Sequence, residues 1–324
     1  MTEPFNVLVT ADHWTPEAQD MVRTAGGSIH FMHGAVTEAT LGQRLAETGA
    51  QALVVRGIRP VTDAVLARAP ALRIIAKNGA GIDGVDLAAA GRRGMVVAVA
   101  AAANADAVAE HALALMLALT RELPRLDRMV REGTWADSRW QGRDFRGSVV
   151  GIVGYGSIGR ATARLVAAVG ATVLVLHSGS RHAACRADGF EGTSALEEFL
   201  PRLDILSLHC PLTDSTRGLV GARTLAMLKP GSLLINTARG PLVQEAALFD
   251  ALRSGHLAGA GLDTFDTEPL PAGHALRQMQ QVLLTPHVAG VTRNSARNVA
   301  LLTARNVVSH LEGRPLPAGH QVLR

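Results

Sequence analysis

Residues 148–160 read SVVGIVGYGSIGR. The first half is an apolar run of strand length, and the second is a glycine turn. The residues from Ser157 to Val169 then carry a helical pattern. Gly154, Gly156 and Gly159 stand in the G-x-G-x-x-G spacing. In that context each glycine has its own task. Gly154 permits the tight turn, Gly156 lets backbone approach a pyrophosphate, and Gly159 lets helix and strand pack closely. The start of the helix then offers unpaired N–H groups and the positive end of its dipole to phosphates. The loop from Gly154 through Tyr155, Gly156, Ser157 and Ile158 to Gly159 is therefore the expected dinucleotide cradle. A plain structural turn is the alternative, and the flanking strand and helix weigh against it.

Working outward, the same alternation continues on both sides. Downstream come ATVLVLH, LDILSLHCP, GSLLINTARG, HLAGAGLDTF and QVLLTPHVAG. Upstream come FNVLVT (residues 5–10), QALVVR (51–56), LRIIAKN (72–78) and MVVAVA (95–100), with helix-length pieces such as residues 16 onward and 63–69 between them. Strands alternating with helices at this spacing predict parallel sheets covered on both faces. A chain of 324 residues exceeds what one ordinary core needs. The expected fold is α/β with two doubly wound domains, the second of Rossmann type. The expected division is 1–100 with 288–324 as one discontinuous domain, and 101–287 as the dinucleotide-binding domain. Asn104 is expected to cap one long helix, NADAVAEHALALMLALTRELPRL, whose part from Ala112 to Leu119 is apolar all round and should be buried all round. Residues 133–147 read as a loop. A last helix over residues 292–311 should pack back on the first domain.

Composition narrows the function. The pI is near 9.8, yet the net charge is only +4. The densest basic group, Arg121, Arg125, Arg128 and Arg131, is interleaved with Glu122, Asp127 and Glu132. That is a solvated helix face rather than a nucleic-acid footprint. No run reaches the roughly 18 apolar residues of a membrane helix. No signal-peptide pattern opens the chain. Two cysteines, Cys185 and Cys210, do not make a disulfide framework. A cytoplasmic protein with no membrane and no nucleic-acid partner is expected. No His/Cys cluster completes a metal site, so none is expected.

The strand after the glycine helix ends in VLVLHSGSRH, residues 173–182. An NAD site normally offers an Asp or Glu here to the ribose hydroxyls. His177 stands there instead, followed by Ser178, Arg181 and His182. A missing carboxylate removes repulsion of a 2′-phosphate, and Ser178, Arg181 and His182 are able to donate to it. NADP(H) is therefore favoured over NAD(H); Arg181 and His182 as solvated loop residues beside a bound NAD(H) is the alternative.

Three further stretches each follow an apolar run: NTARG (236–240), GLDTFDTEPLP (261–271) and TPHVAG (285–290). Ligands of doubly wound sheets sit at such strand ends. With NGAGIDGVDL (78–87) and NADAVAEH (104–111), these stretches resemble the D-isomer-specific 2-hydroxyacid dehydrogenase family. The resemblance implies reduction of a 2-keto acid, which needs a hydride and a proton, and His is the natural acid near neutral pH. His287 is the candidate proton donor. Glu268 would orient its ring and stabilise the protonated form. Arg239 would bind the substrate carboxylate with a planar, permanently charged fork. The resemblance runs from about Val54 to Gly290, and all three positions match the family's Arg, Glu and His.

The resemblance implies more. The first domain would be a flavodoxin-like substrate domain, with the active site between the two domains and a homodimer as the assembly. Backbone N–H groups of Ala80 and Gly81 would hold the substrate carboxylate. Arg56 matches a basic residue facing substrate in phosphoglycerate-type members; a plain surface arginine reads equally well. Asn104, Val108 and Ala238 would approach the nicotinamide, Thr237 would bind the cofactor, Asp263 would accept from its carboxamide, and Cys210 and Pro211 would line the adenosine side. The substrate stays open between glyoxylate or hydroxypyruvate and a phosphoglycerate-type acid; phosphonate or formate oxidation would also use this architecture, with formate, which lacks a carbonyl needing protonation, fitting less well. The rival from another class is a nucleotide-sensing corepressor of the same fold.

Overall fold

The computed structural model describes residues 3–323. Its contacts divide the chain into two compact units. One runs to Asn104 and resumes at Val291, and the other spans Ala105–Gly290. The divisions expected at 100/101 and 287/288 thus fall a few residues later.

In the first unit the chain runs β1 (Phe5–Val9), α1 (Pro16–Thr24), β2 (Gly27–Phe31), α2 (Glu38–Thr48), β3 (Ala52–Val55), α3 (Asp63–Ala67), β4 (Ile74–Lys77), α4 (Leu87–Arg92) and β5 (Val96–Val99). The second unit contains α5 (Ala105–Thr120), α6 (Leu123–Arg131), β6 (Val149–Val153), α7 (Ser157–Ala168), β7 (Thr172–Leu176), α8 (His182–Ala187), β8 (Glu191–Thr193), α9 (Leu196–Phe199), β9 (Ile205–Leu208), α10 (Ala222–Ala226), β10 (Ser232–Asn236), α11 (Glu245–Arg253), β11 (Leu257–Leu262) and β12 (Val282–Leu284). The chain then returns to the first unit with α12 (Arg293–Leu311) and β13 (Gln321–Leu323).

Among the described residues the first unit holds a six-stranded sheet, ordered β13-β5-β4-β3-β1-β2. Its pairings are parallel except that of β13 with β5. The second holds a seven-stranded sheet, ordered β12-β11-β10-β9-β6-β7-β8 and parallel throughout. Both are doubly wound, as the alternation predicts. The inner strands β3, β4, β9 and β10 are buried along their whole length, which is why they read as continuous apolar runs. In the second sheet the strand order reverses between β6 and β9, and the glycine turn sits at that switch point. The helix α12 starts from a capping box, Thr292 with Ser295, and packs on α1 and β4. That is the return to the first unit anticipated for it.

Two expectations are corrected. The long helix is broken. Glu122 takes φ +50, and α6 begins immediately after it. Pro124 in the first turn of α6 explains the restart, since its ring fits a helix beginning better than an interior. The side chain of Asn104 caps nothing, for its Oδ1 is buried without a hydrogen-bond partner. Nor is the stretch Ala112–Leu119 buried all round. Ala112, Leu115 and Met116 are buried, Ala114 is exposed, and Leu113, Leu117, Ala118 and Leu119 are half-buried. Only one side of α5 has the sheet and α7 to pack on.

Candidate active site

The glycine turn is built as its spacing requires. Gly154 takes φ +93. A Cβ there would stand 2.8 Å from the Cys210 backbone, so the turn lies directly on the end of β9. A Cβ on Gly159 would come within 2.0 Å of the Gly154 carbonyl, which leaves α7 no room for any other residue. Gly156 differs, because a Cβ there would meet nothing within 4 Å. It opens α7 with no side-chain cap, so the first N–H groups of a 12-residue helix face open space. An anion fits there. Thr237, at the end of β10, adds a buried Oγ1 with no partner. An open helix start, a glycine that leaves space and an orphaned hydroxyl on a nearby strand end together suit a dinucleotide.

Tyr155 points the other way, into the protein. Its hydroxyl donates to Asp188 Oδ2 at 2.7 Å. Arg160 and Arg164 bind the same carboxylate. Arg160 first, then the Tyr155 hydroxyl and Arg164, hold the Asp188 carboxyl well below the usual range. Burial and this bond push the Tyr155 phenol up. The pair anchors the glycine turn to the end of α8.

The end of β7 is turned differently from the bare expectation. The ring of His177 is 7% exposed. Its Nδ1 lies 3.0 Å from the Ser178 carbonyl, its Nε2 is buried without a partner, and it packs edge-on against His182. Ser178, Ser180, Arg181 and His182 are the exposed polar side chains. The hydroxyls of Ser178 and Ser180 lie 3.2 Å apart. Cys210 is half-buried, and burial pushes its thiol up to about 11, so it is a protonated wall and no nucleophile.

The second cluster stands on the ends of β10, β11 and β12, which are neighbours in the sheet. His287 and Glu268 meet: His287 Nδ1 donates to Glu268 Oε2 at 2.7 Å. Glu268 Oε1 accepts from the Phe265 N–H at 3.0 Å, so the carboxylate is held at both oxygens. With Nδ1 engaged, Nε2 is the imidazole atom left to handle a proton. His287 takes φ +55, a left-handed conformation uncommon for a residue with a Cβ. Its N–H donates to the Asp263 carbonyl at 2.8 Å, which holds the backbone there.

Arg239 lies three residues past β10. Its Nη1 donates to the Ala238 carbonyl at 2.6 Å. Asn236, 1% exposed, organises this turn from below. It accepts from the Ala238 N–H at 3.0 Å and donates to the Arg239 carbonyl at 2.8 Å. Gly240 lets the turn lie on the neighbouring loop, since a Cβ there would stand 2.0 Å from the Phe265 carbonyl carbon. The loops bearing Arg239 and Glu268 are thereby in contact. Sequence reasoning quoted NTARG and TPHVAG but gave Asn236 and Thr285 no task. His111, whose Nε2 lies 3.0 Å from Thr285 Oγ1, went unremarked. Nothing local marks a partner 174 positions away.

In the first unit, Arg56 Nη1 reaches the His13 carbonyl at 2.9 Å and His13 Nε2 at 3.1 Å. Ala80 and Gly81 lie in the loop that follows β4, and Pro211 follows β9. Val108 is buried on α5. Among the described residues no group of three or more His, Cys, Asp or Glu is placed to hold a metal. No helix there is long and apolar enough to cross a membrane.

Residues 113–289 match the family model described as "D-isomer specific 2-hydroxyacid dehydrogenase, NAD binding domain". The chain is 42% identical over 268 residues to D-3-phosphoglycerate dehydrogenase of Mycobacterium tuberculosis, covering 83% of this chain and 50% of that protein. It is 38% identical over 260 residues to glyoxylate reductase of Aeropyrum pernix, covering 78% of this chain and 77% of that one. Among solved structures, the TT0316 protein of Thermus thermophilus superposes with TM-score 0.89 at 35% identity, over 98% of this chain and 100% of the other. The chain spans half the length of the mycobacterial relative.

Proposed function

The chain belongs to the D-isomer-specific 2-hydroxyacid dehydrogenase family, and from that membership we propose that it reversibly reduces a small 2-keto acid to the D-2-hydroxy acid. The observation that carries this reading is the His287–Glu268 pair at 2.7 Å, next in the sheet to the Arg239 turn and in the same unit as the glycine turn. A nicotinamide dinucleotide, when bound, supplies the hydride. The chain's own groups do the rest. His287 holds at Nε2 the proton destined for the carbonyl oxygen. Glu268 fixes the ring through Nδ1 and offsets its positive charge. Arg239 binds the carboxylate and draws charge from the carbonyl. Substrate-binding roles are proposed as well for the backbone N–H groups of Ala80 and Gly81 and for the Arg56 side chain.

The cofactor is held by residues 154–159, with Cys210 and Pro211 on the adenosine side. Asn104, Val108, Thr237, Ala238 and Asp263 serve the nicotinamide side. NADP(H) is preferred, because no carboxylate ends β7 and the exposed Ser178, Ser180 and Arg181 offer donors to a 2′-phosphate. The inward ring of His177 acts there by leaving room rather than by contact. The working unit is a homodimer.

A panel of 2-keto acids, including glyoxylate, hydroxypyruvate and its phosphorylated form, assayed with NADPH and with NADH, tests all of this. The expected result is turnover with at least one acid and a lower KM for NADPH. His287→Ala is expected to lose at least about a hundred-fold in kcat while cofactor binding persists. Unchanged kcat in that variant removes His287 as the proton donor. A clear preference for NADH removes the cofactor assignment alone.

A further inference from the structure

We propose that His111 is a positioning residue for His287, acting through Thr285 and Asp263. The proposal rests on His287 being the proton donor, and it concerns what holds that imidazole in its left-handed turn.

The turn from Thr285 to Ala289 hangs on one residue. Asp263, fully buried, accepts from Val288 N–H at 2.9 Å and from Thr285 Oγ1 at 2.5 Å through Oδ1. Its Oδ2 accepts from Ala289 N–H at 2.8 Å. Its carbonyl accepts from the N–H of His287 itself at 2.8 Å. A carboxylate offers about four acceptor positions. Three are filled by this one turn, and a position on Oδ2 remains for a carboxamide.

His111 extends the network. Its Nε2 lies 3.0 Å from Thr285 Oγ1 and 3.8 Å from Asp263 Oδ1. Thr285 has a single hydroxyl proton, and at 2.5 Å from the carboxylate that proton points to Asp263. The contact with His111 is then possible in one sense only: Nε2–H donates to the Thr285 oxygen. This assigns the proton on His111 to Nε2. The result is a directed chain, from His111 Nε2–H to Thr285 Oγ–H to Asp263 Oδ1, which also receives Val288 N–H. Each donation polarises the next, so the bonds support one another. His111 stands on α5, which packs along α7, β10 and β11. Its side chain is 23% exposed and held in that packing. The helix thus reaches across to fix the rotamer of Thr285, and through Asp263 the backbone at His287.

The test compares His111→Ala with His111→Gln, whose amide N–H keeps the donor. Amide hydrogen exchange at Val288 and Ala289 is read by NMR in the free protein, and kcat and KM are read separately. In His111→Ala the exchange at both amides is expected to rise about ten-fold, and kcat to fall about ten-fold with KM for the keto acid nearly unchanged. His111→Gln is expected to restore most of both. Exchange at wild-type rates in the folded alanine variant, or a glutamine variant no better than alanine, overturns the proposal. Should the alanine variant fail to fold, Thr285→Val, which removes the hydroxyl and keeps the branch, is read by the same two measurements. The exchange rates need no substrate. A wild type that reduces no keto acid therefore defeats the proposed function, while exchange still decides the role of His111.

Discussion

His209 shows how a single buried side chain leaves a mark on the stability of the whole protein. It follows β9, its Nε2 lies 2.8 Å from Ser207 Oγ, and its Nδ1 is buried with no partner. Burial pushes its pKa from 6.5 down to about 4. The sign follows from proton uptake. Below about 6.5 the unfolded chain binds a proton that the folded chain refuses until about 4, so stability falls as pH falls through that window. Between about pH 7.5 and about pH 5 the loss from this one group is about 2 kcal/mol. Burial also lowers His310 and His320, and they act in the same direction. Urea unfolding at the two pH values isolates His209: His209→Gln, which keeps a polar partner for Ser207 and does not titrate, is expected to lose less stability on acidification than the wild type. Equal losses in the two proteins would show that the ring takes its proton as readily folded as unfolded.

At the scale of elements, the glycine turn separates two roles that look alike in the motif. Gly159 is a packing glycine, and Gly156 is a glycine of open space. Gly156 has φ −83, which alanine adopts without strain. Gly156→Ala is expected to keep its Tm within about 2 °C and to weaken cofactor binding about ten-fold or more, since the methyl projects where the pyrophosphate approaches. Gly159→Ala is expected to lose Tm by several degrees, because its Cβ meets backbone at 2.0 Å. Thermal melts and cofactor titration check both, and a Gly156→Ala protein that binds normally would clear that position of any phosphate. The same contrast explains what the sequence reveals. Strands β4, β6 and β10 are apolar because they are buried on both faces, so they announce themselves. Strands β2, β8 and β13 do not. They lie at sheet edges, and GSIHF, EGT and QVL carry polar or short patterns; the ladders to β1, β7 and β5 make them strands. Arg239, Glu268 and His287 can be nominated from the sequence because each sits in a short motif of its own, and the structure brings Glu268 and His287 together. Asn236, Thr285 and His111 were not, since their tasks are hydrogen bonds whose partners only the fold brings near. The break at Glu122 had a visible cause in Pro124, which a long apolar pattern obscured.

At the scale of the whole molecule, the surface around α6 is where the proposed homodimer would be tested. None of the residues of α6 is buried. Leu123 is 53% exposed, Val130 56% and Trp135 80%. Val288 and Val291 form one other exposed pair and the remaining large exposed apolar side chains are single, whereas these three fall within residues 123–135. Arg125, Asp127, Arg128, Arg131 and Glu132 surround them as a polar rim would. Beside them, Leu119, Pro124, Gln141, Leu233 and Leu283 line a cleft of about 360 Å³. In an isologous pair each copy presents both the indole and the cleft, so one two-fold axis satisfies both. The half-covered side of α5, with its apolar Leu113, Ala114 and Leu117, lies next to this patch in the chain. Light scattering of the wild type is expected to give twice the 34.0 kDa chain mass. Trp135→Asp combined with Val130→Glu puts charges where the contact must be dry, and it is expected to give a monomer with the near-native Tm of an exposed substitution. A wild type that stays monomeric at tens of micromolar, or a double variant that stays dimeric, would show that this patch serves something other than a second copy.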